Sequence, residues 1–435
     1  MNAEVNPVWR DACQRSRNAI PQLAWLGDLR DSAISVLTEH GLPDSSHEEW
    51  RYTSLADYMQ RGTAYLADDG LASDASLVAP ATEGFAGNPQ LVLLDGVLEL
   101  AAGQVLPAGI EVHSLRTLSP MLQGRVAELL ATRKVPDSMQ ALAALNLALL
   151  SDGLFLRSTA AVDTPAPLHI RLTSSGTVMA QPRLLIDLAP GSRLNLIIEH
   201  HGAAGTLGNS ITQIHCGAGS HLDLLRIQDL PADALLTEMT QIELTRDATL
   251  SATSLDFGGQ LVRQDLSVTL TGAGAAANIH GAFIVDGHRH IDNHTTIEHC
   301  APDTNSREIF HGLATDHGRG VFNGRIVVQS GAVRAVSSLN SRNLLLTTTA
   351  EIDTKPELEI FTDDVRCSHG ATIGQLDANA LFYLRSRGLS PDEARRALIT
   401  AFLHATLAGI TPDDLSVRVA ARLQSRLAAL DGAAI

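Results

Sequence analysis

Aromatic side chains are scarce in this sequence, at 4% of 435 residues. The core must therefore be built largely from Leu, Ile, Val and Ala, and a groove that binds by ring stacking lacks its material. Cysteine is scarcer still: Cys13, Cys216, Cys300 and Cys367 stand far apart, with no CxxC pair. That excludes a zinc ribbon and a sequence-local cluster cradle, and the same count argues against a disulfide framework. Any cysteine chemistry needs partners brought by folding or by another subunit. Basic residues are outnumbered, 32 Lys and Arg against 48 Asp and Glu, for a net charge of −16. Phosphate is repelled at long range by such a sum, which argues against nucleic acid or an anionic membrane as partner.

Other absences narrow the classes further. The first twenty residues lack the basic and apolar regions of a secretory signal. The longest apolar run, Met139 to Leu150, contains Gln140 and Asn146 and suits a buried helix better than a membrane span. A cytoplasmic protein is expected. Neither GxxxxGK[ST] nor GxSxG occurs, so ATP hydrolysis and serine hydrolysis find no motif. The glycines of Thr271-Gly272-Ala273-Gly274 sit between strands and do not open a helix, which makes them a turn and not a dinucleotide cradle.

What is present divides the chain into three textures, as its length suggests. Residues 1–150 read as a mixed, mostly helical N-terminal domain. Leu29 to His40 carries Ala33, Ile34 and Leu37 on one face and stops at Gly41-Leu42-Pro43. Val126, Leu129 and Leu130, then Leu142, Leu145 and Leu149, keep a helical period. Between them Leu91–Leu94 and Val97–Leu100 flank Asp95-Gly96, a hairpin turn. Residues 151–365 alternate with period two, and turns recur at Gly191, Gly219, Asp247 and Gly274, roughly 28 residues apart. A second, weaker set falls halfway, at Gly205, Asp233, Gly259 and Gly287. A fixed period with two strands per repeat and no crossover helix fits stacked β-helix coils; an antiparallel sandwich is the alternative. Residues 366–435 return to helices. Ser390-Pro391-Asp392-Glu393 is a capping box with Pro at the first helical position. A last helix begins at Thr411 to Asp414 with Leu415, Val419, Leu423, Leu427 and Leu430 as its stripe. These helices are expected to cap the open end of the solenoid.

Two groups of side chains invite a chemical reading. Strand alternation from Asp286 to His299 puts Asp286, His288, His290, Asp292, His294 and Glu298 on one face, a donor set that suits a transition metal. Alternate side chains stand about 7 Å apart on one strand, so chelation would need neighbouring coils; the competing expectation is a solvated or subunit-facing surface. Exposed strand histidines account for Glu199-His200-His201. Cys367 and His369 alternate to one face if Arg366 to Gly370 is extended, and thiolate and imidazole both suit iron. The bland alternative is a buried Cys367 and a turn-bound His369.

The segment Lys355 to Thr372 (KPELEIFTDDVRCSHGAT) is followed by Gly374 and by LFYLRSRGLSPDEA from Leu381. This pair strongly resembles the C-terminal signature of the SufB/SufD family of SUF iron–sulfur cluster assembly proteins. The resemblance extends through Phe310 to Val328, Asn340 to Pro356 and EEWRYTSL at Glu48 to Leu55, and is weak between about residues 60 and 150. Cys367-Ser368-His369-Gly370 has the form of the SufD branch, and the N-terminal cysteine cluster of SufB-like chains is absent. The resemblance implies a mainly β fold, a right-handed parallel β-helix flanked by an N-terminal mixed α/β domain and a C-terminal helical domain. It implies a non-catalytic scaffold that pairs with the paralogue SufB and binds the ATPase SufC. On this reading His369 is the metal ligand at the SufB interface, with Cys367 in a lesser role there. The helices from Leu381 to Gly409, with Arg385 and Arg387, would dock SufC. No cofactor is expected to stay on the isolated chain; the iron–sulfur cluster is transient and forms with SufB, and a homodimer is the alternative assembly. A β-helix carbohydrate-active enzyme is the competing function, and a hexapeptide-repeat acyltransferase is disfavoured because the period is not a multiple-of-six pattern.

Overall fold

The computed structural model describes residues 7–67, 88–100, 105–132, 135–410 and 412–430. Period-two sequence from Gly153 onward forms strands of mostly ten residues, and within the stack each pairs in parallel with its neighbours one coil away. Arg193, His221 and Thr249 stand side by side in one sheet, as do Leu207 and Leu235 in the other. The result is a β-solenoid of about eight coils with two facing sheets. In the turn column Gly191, Gly219, Asp247 and Gly274 have φ of 72°, 65°, 57° and 74°, which is why Gly and Asp recur there. Each turn also bonds to the next: the N–H groups of Gly191, Gly219 and Asp247 donate to the carbonyls of Ala218, Arg246 and Ala273.

Inward side chains of successive coils stack in columns. One column in the first sheet runs Leu168, Leu196, Leu224, Ala252, Ile279, all buried. Truncating a leucine such as Leu196 to Ala should cost about 2–5 kcal/mol, because neighbours on both sides hold the cavity open.

The start of the stack is closed by the expected hairpin, Gln90–Leu94 with Val97–Glu99, whose Asp95 and Gly96 have φ of 50° and 89°. It joins the first sheet parallel to Asp163–Ser174. The N-terminal helices lie on the outer face of the second sheet, where Trp9, Trp50, Tyr58 and Leu142 meet Leu207, Ile211, Leu235 and Met239.

The C-terminal helices do not cap the stack. The stripe Leu415, Val419, Leu423, Leu427 and Leu430 lies on the flank of the first sheet, against Ile197, Leu225, Leu255, Phe257 and Ile284. Those outward residues form an apolar band along the coils, which attracts an amphipathic helix more strongly than the smaller end face does. Thr411 lies outside the described residues; the helix itself runs Asp413–Leu430. The final coil, strands Glu351–Ile360 and Val365–Gly374, is outermost in both sheets and paired on one side only. Its second strand straddles residues 365 and 366, so the helical segment begins only at Ala378.

Candidate functional site

The family-like motif occupies that last, half-paired coil. Cys367 stands in register with Ser337 and His369 with Leu339, so both continue inward-facing columns. Cys367 is half-buried against the core; burial pushes its thiol up, partly offset by a backbone hydrogen bond with Ser337. Behind it runs a buried ladder: Ser337 and Ser306 hydroxyls 2.6 Å apart, Ser306 2.9 Å from His299 Nε2, and His299 Nδ1 2.8 Å from Thr304. Burial pushes His299 down to about 4, so it is neutral near pH 7.

His369 is exposed in a depression of about 640 Å³ shared with Glu48, Glu357, Glu359, Arg325 and Lys355. Lys355 Nζ reaches Glu48 at 2.8 Å and also holds Glu357, while Arg325 pairs with Glu359 at 3.1 Å. Among the described residues no three His, Cys, Asp or Glu side chains are arranged to hold a metal ion. Cys367 and His369 therefore offer single donors at an edge and not a finished site.

Much of the outer face of the histidine-rich strand is covered: the N-terminal segment EEWRYTSL meets His290, Asp292 and His294, while Glu298 lines the cleft along the second sheet. Asp292, 1% exposed, accepts from Thr53 Oγ1 at 2.5 Å and from Arg263 at 2.8 Å, and pairs with His294 at 3.0 Å. Arg263 also donates to the Glu49 carbonyl at 2.7 Å and lies 4.3 Å from the Trp50 ring. Burial alone would push the Asp292 carboxyl up; Arg263 and then His294 hold it well below the usual range. His288 lies outside the strand, stacked on His317 at 5.0 Å. Period two identifies two faces but cannot say that a residue 239 positions away will cover one of them.

Glu199-His200-His201 is likewise not an exposed trio. Glu199 is buried and is met by His169 at 2.9 Å, His201 at 3.0 Å and Arg422 of the last helix. His200 points into the lumen beside Glu238, at 3.1 Å.

The two arginines expected at the partner contact are on an uncovered element. Helix Ala378–Ser386 has no buried residue, and Phe382 and Tyr383 are exposed on it. Arg385 is exposed at its end, and Arg387 lies 5.2 Å from the Tyr383 ring. The following helix, Pro391–His404, has the expected capping box at Ser390 and Glu393.

Residues 170–402 match the family described as SUF system FeS cluster assembly, SufBD core domain, and residues 11–170 match the SufBD protein N-terminal region. The chain belongs to the SufBD family. It is 30% identical over 409 residues to the iron-sulfur cluster assembly protein SufD of Escherichia coli K12, covering 91% of each chain. To a SufBD family protein of Synechocystis it is 29% identical over 397 residues, covering 87% of this chain and 86% of that one. Among the described residues no helix is long and apolar enough to cross a membrane. The cleft of about 920 Å³ along the second sheet has a mixed polar and apolar lining in which, among the described residues, Phe361 is the one benzenoid ring, so a sugar finds little to stack on.

Sequence reasoning missed the clasp between Lys355 and Glu48, whose partners are 307 residues apart. The family-like segments at Glu48 and Lys355 were the available signal, since both ends of the clasp lie in them.

Proposed function

We propose that this SufD-like chain is a scaffold subunit that pairs edge to edge with a SufB-type partner and gives His369 to a nascent iron–sulfur cluster at that seam. The observation that carries this reading is the position of His369 and Cys367 on an outermost strand with a free edge. Unpaired strand edges template pairing with another chain, and a donor standing on such an edge is completed only by that chain. Iron and sulfide are cargo here: imidazole and thiolate suit iron, and the partner supplies the remaining thiolates. A second copy of this chain is the alternative occupant of the same edges. The exposed helix Ala378–Ser386 and its neighbour Pro391–His404 are the proposed docking site for the SufC ATPase, which supplies the hydrolysis for which this chain has no motif.

The test is anaerobic co-expression with SufB and SufC partners, followed by iron and sulfide analysis. His369→Ala should leave the complex assembled, because an exposed edge residue carries little of the core, and cut cluster content at least fivefold. Cys367→Ser should reduce it less. Wild-type loading by the His369→Ala complex would refute the shared-site reading.

A further inference from the structure

Glu308 occupies the inward column that ends at His369. The register runs Ile279, Glu308, Leu339, His369, so a carboxyl interrupts an apolar column two coils, about 10 Å, behind the open end. It is 1% exposed, and the side chain that meets its carboxyl is Thr295 on the facing sheet, whose hydroxyl favours the charged form; neither group has a further hydrogen-bond partner among the described residues. On the same inward face of that strand, Asn293 is 1% exposed with both its amide oxygen and its amide nitrogen unpartnered. Buried polar atoms are normally satisfied, and a local run of unsatisfied ones signals a missing occupant.

The same lumen contains a contrasting case. Glu238 and Asp256, equally buried, flank Arg226 at 2.6 Å and 2.5 Å. Burial would push the Glu238 carboxyl up, but Arg226 and His200 hold it at about 2. Those carboxylates carry a built-in cation. Glu308 has none: no Arg, Lys or His among the described residues pairs with it, and burial holds it up at about 7. Carboxylate, amide oxygen and hydroxyl are all oxygen donors, the kind that suits a hard or borderline divalent ion.

We propose that Glu308, with Asn293 and Thr295, forms an internal site for a labile first-row divalent cation, ferrous iron in the working protein, in the lumen behind His369. The proposal rests on the reading of this chain as a cluster-assembly subunit, which names the ion. The donors themselves would accept any ion of that size and charge. One carboxylate makes the site weak enough to release its ion, as a holding position requires. Leu339 alone separates Glu308 from His369 in that column.

The experiment is equilibrium binding of Mn²⁺, as a spectroscopic probe, to the full chelator-treated chain, with the ion located by anomalous diffraction. Wild type should bind one Mn²⁺ in the lumen. Glu308→Gln, which keeps the shape and removes the charge, should bind at least tenfold more weakly, and Asn293→Leu should weaken binding less. His369→Ala should bind as wild type does. Unchanged binding in Glu308→Gln, or a wild-type lumen holding only ordered water, overturns the proposal. The underlying function fails separately. If Glu308→Gln loses Mn²⁺ while His369→Ala complexes still load clusters, the internal site stands and the shared-edge reading falls. If His369→Ala abolishes loading and Glu308→Gln binds Mn²⁺ normally, the reverse holds.

Discussion

Lys355 on the last coil and Glu48 in the N-terminal segment are joined by an ion pair of 2.8 Å in the depression that His369 also lines. The same ammonium holds Glu357, so one side chain pins the N-terminal segment to the edge strand and neutralises a carboxylate of that depression. Glu48 is mostly exposed, and such pairs contribute about 0–1 kcal/mol. Its importance is positional.

The nearby Arg263 is a different kind of contact. It is fully buried between Asp265 and Asp292 and stacked on Trp50. Removing one partner of a buried ion cluster leaves the others uncompensated, at about 3–5 kcal/mol. Arg263→Ala should therefore lower stability in urea by that amount and speed hydrogen exchange in residues 48–53. Lys355→Ala should change stability by less than about 1 kcal/mol. Equal losses in the two variants would mean that the segment is held mainly by its surface clasp.

Acid should loosen the C-terminal helices from the flank of the solenoid. His280 and His311 are buried beneath them; the Thr406 backbone carbonyl stands beside His280 as an acceptor and favours its charged form slightly, and His311 meets the Phe402 ring edge-on at 4.6 Å. Burial pushes both imidazoles down, His311 to about 4, and Arg307 and Arg342 act in the same direction. Unfolded imidazoles titrate near 6.5. Between pH 6.5 and 4 the detached state takes up protons that the packed state refuses, so stability falls as pH drops through that window. His311 alone accounts for at most about 3 kcal/mol. Exchange in residues 391–430, followed from pH 7.5 to 4.5, should rise in wild type and rise less in His311→Gln. An identical pH slope in both would remove His311 as the cause.

Charge reversal at Arg385 and Arg387 addresses the proposed ATPase contact. Both are exposed, so the double Glu variant should alter stability by no more than about 0.5 kcal/mol. It should weaken SufC binding at least tenfold by calorimetry, and more so at low salt, where exposed charges act at longer range. Unchanged affinity in a folded variant would move the ATPase contact away from this helix.

The repeating backbone was legible because its constraints are local. Gly191, Gly219, Asp247 and Gly274 advertise the turn column since positive φ restricts the residue type, and Ser390 with Glu393 advertises a cap by direct hydrogen bonding. Placement between distant elements was not legible. The stripe Leu415 to Leu430 says that a helix is amphipathic, not which face receives it. The alternation of His290, Asp292 and His294 looks the same whether water or Trp50 lies over it. Glu308 was readable in principle, because it shares an inward phase with Ser306 and Phe310; a carboxyl in that phase is the kind of local conflict that marks function.

The free edges of the last coil carry a prediction of their own. Ile360 and Phe361 at the end of one edge strand are 42% and 59% exposed, and Ile373 on the other is 44% exposed. Strand edges left bare in a monomer usually carry charge or proline as protection. Glu351–Ile360 carries that protection in Pro356 and its charges, but at its end and on Val365–Gly374 exposed apolar side chains stand at strand edges with no neighbouring strand, which is the surface expected where a second chain continues the sheets. Phe361 and Ile373 are both largely exposed on the last coil, Ile373 at the end of an inward column, so replacing them together by Asp should move the denaturation midpoint of the isolated chain little. Pairing with the SufB-type partner should weaken by at least tenfold, because two carboxylates would have to be desolvated at the seam. Size-exclusion chromatography with light scattering on the co-expressed subunits measures this directly. A variant that still co-elutes as a heterodimer at wild-type affinity would place the partner elsewhere, and with it the second half of the site to which His369 belongs.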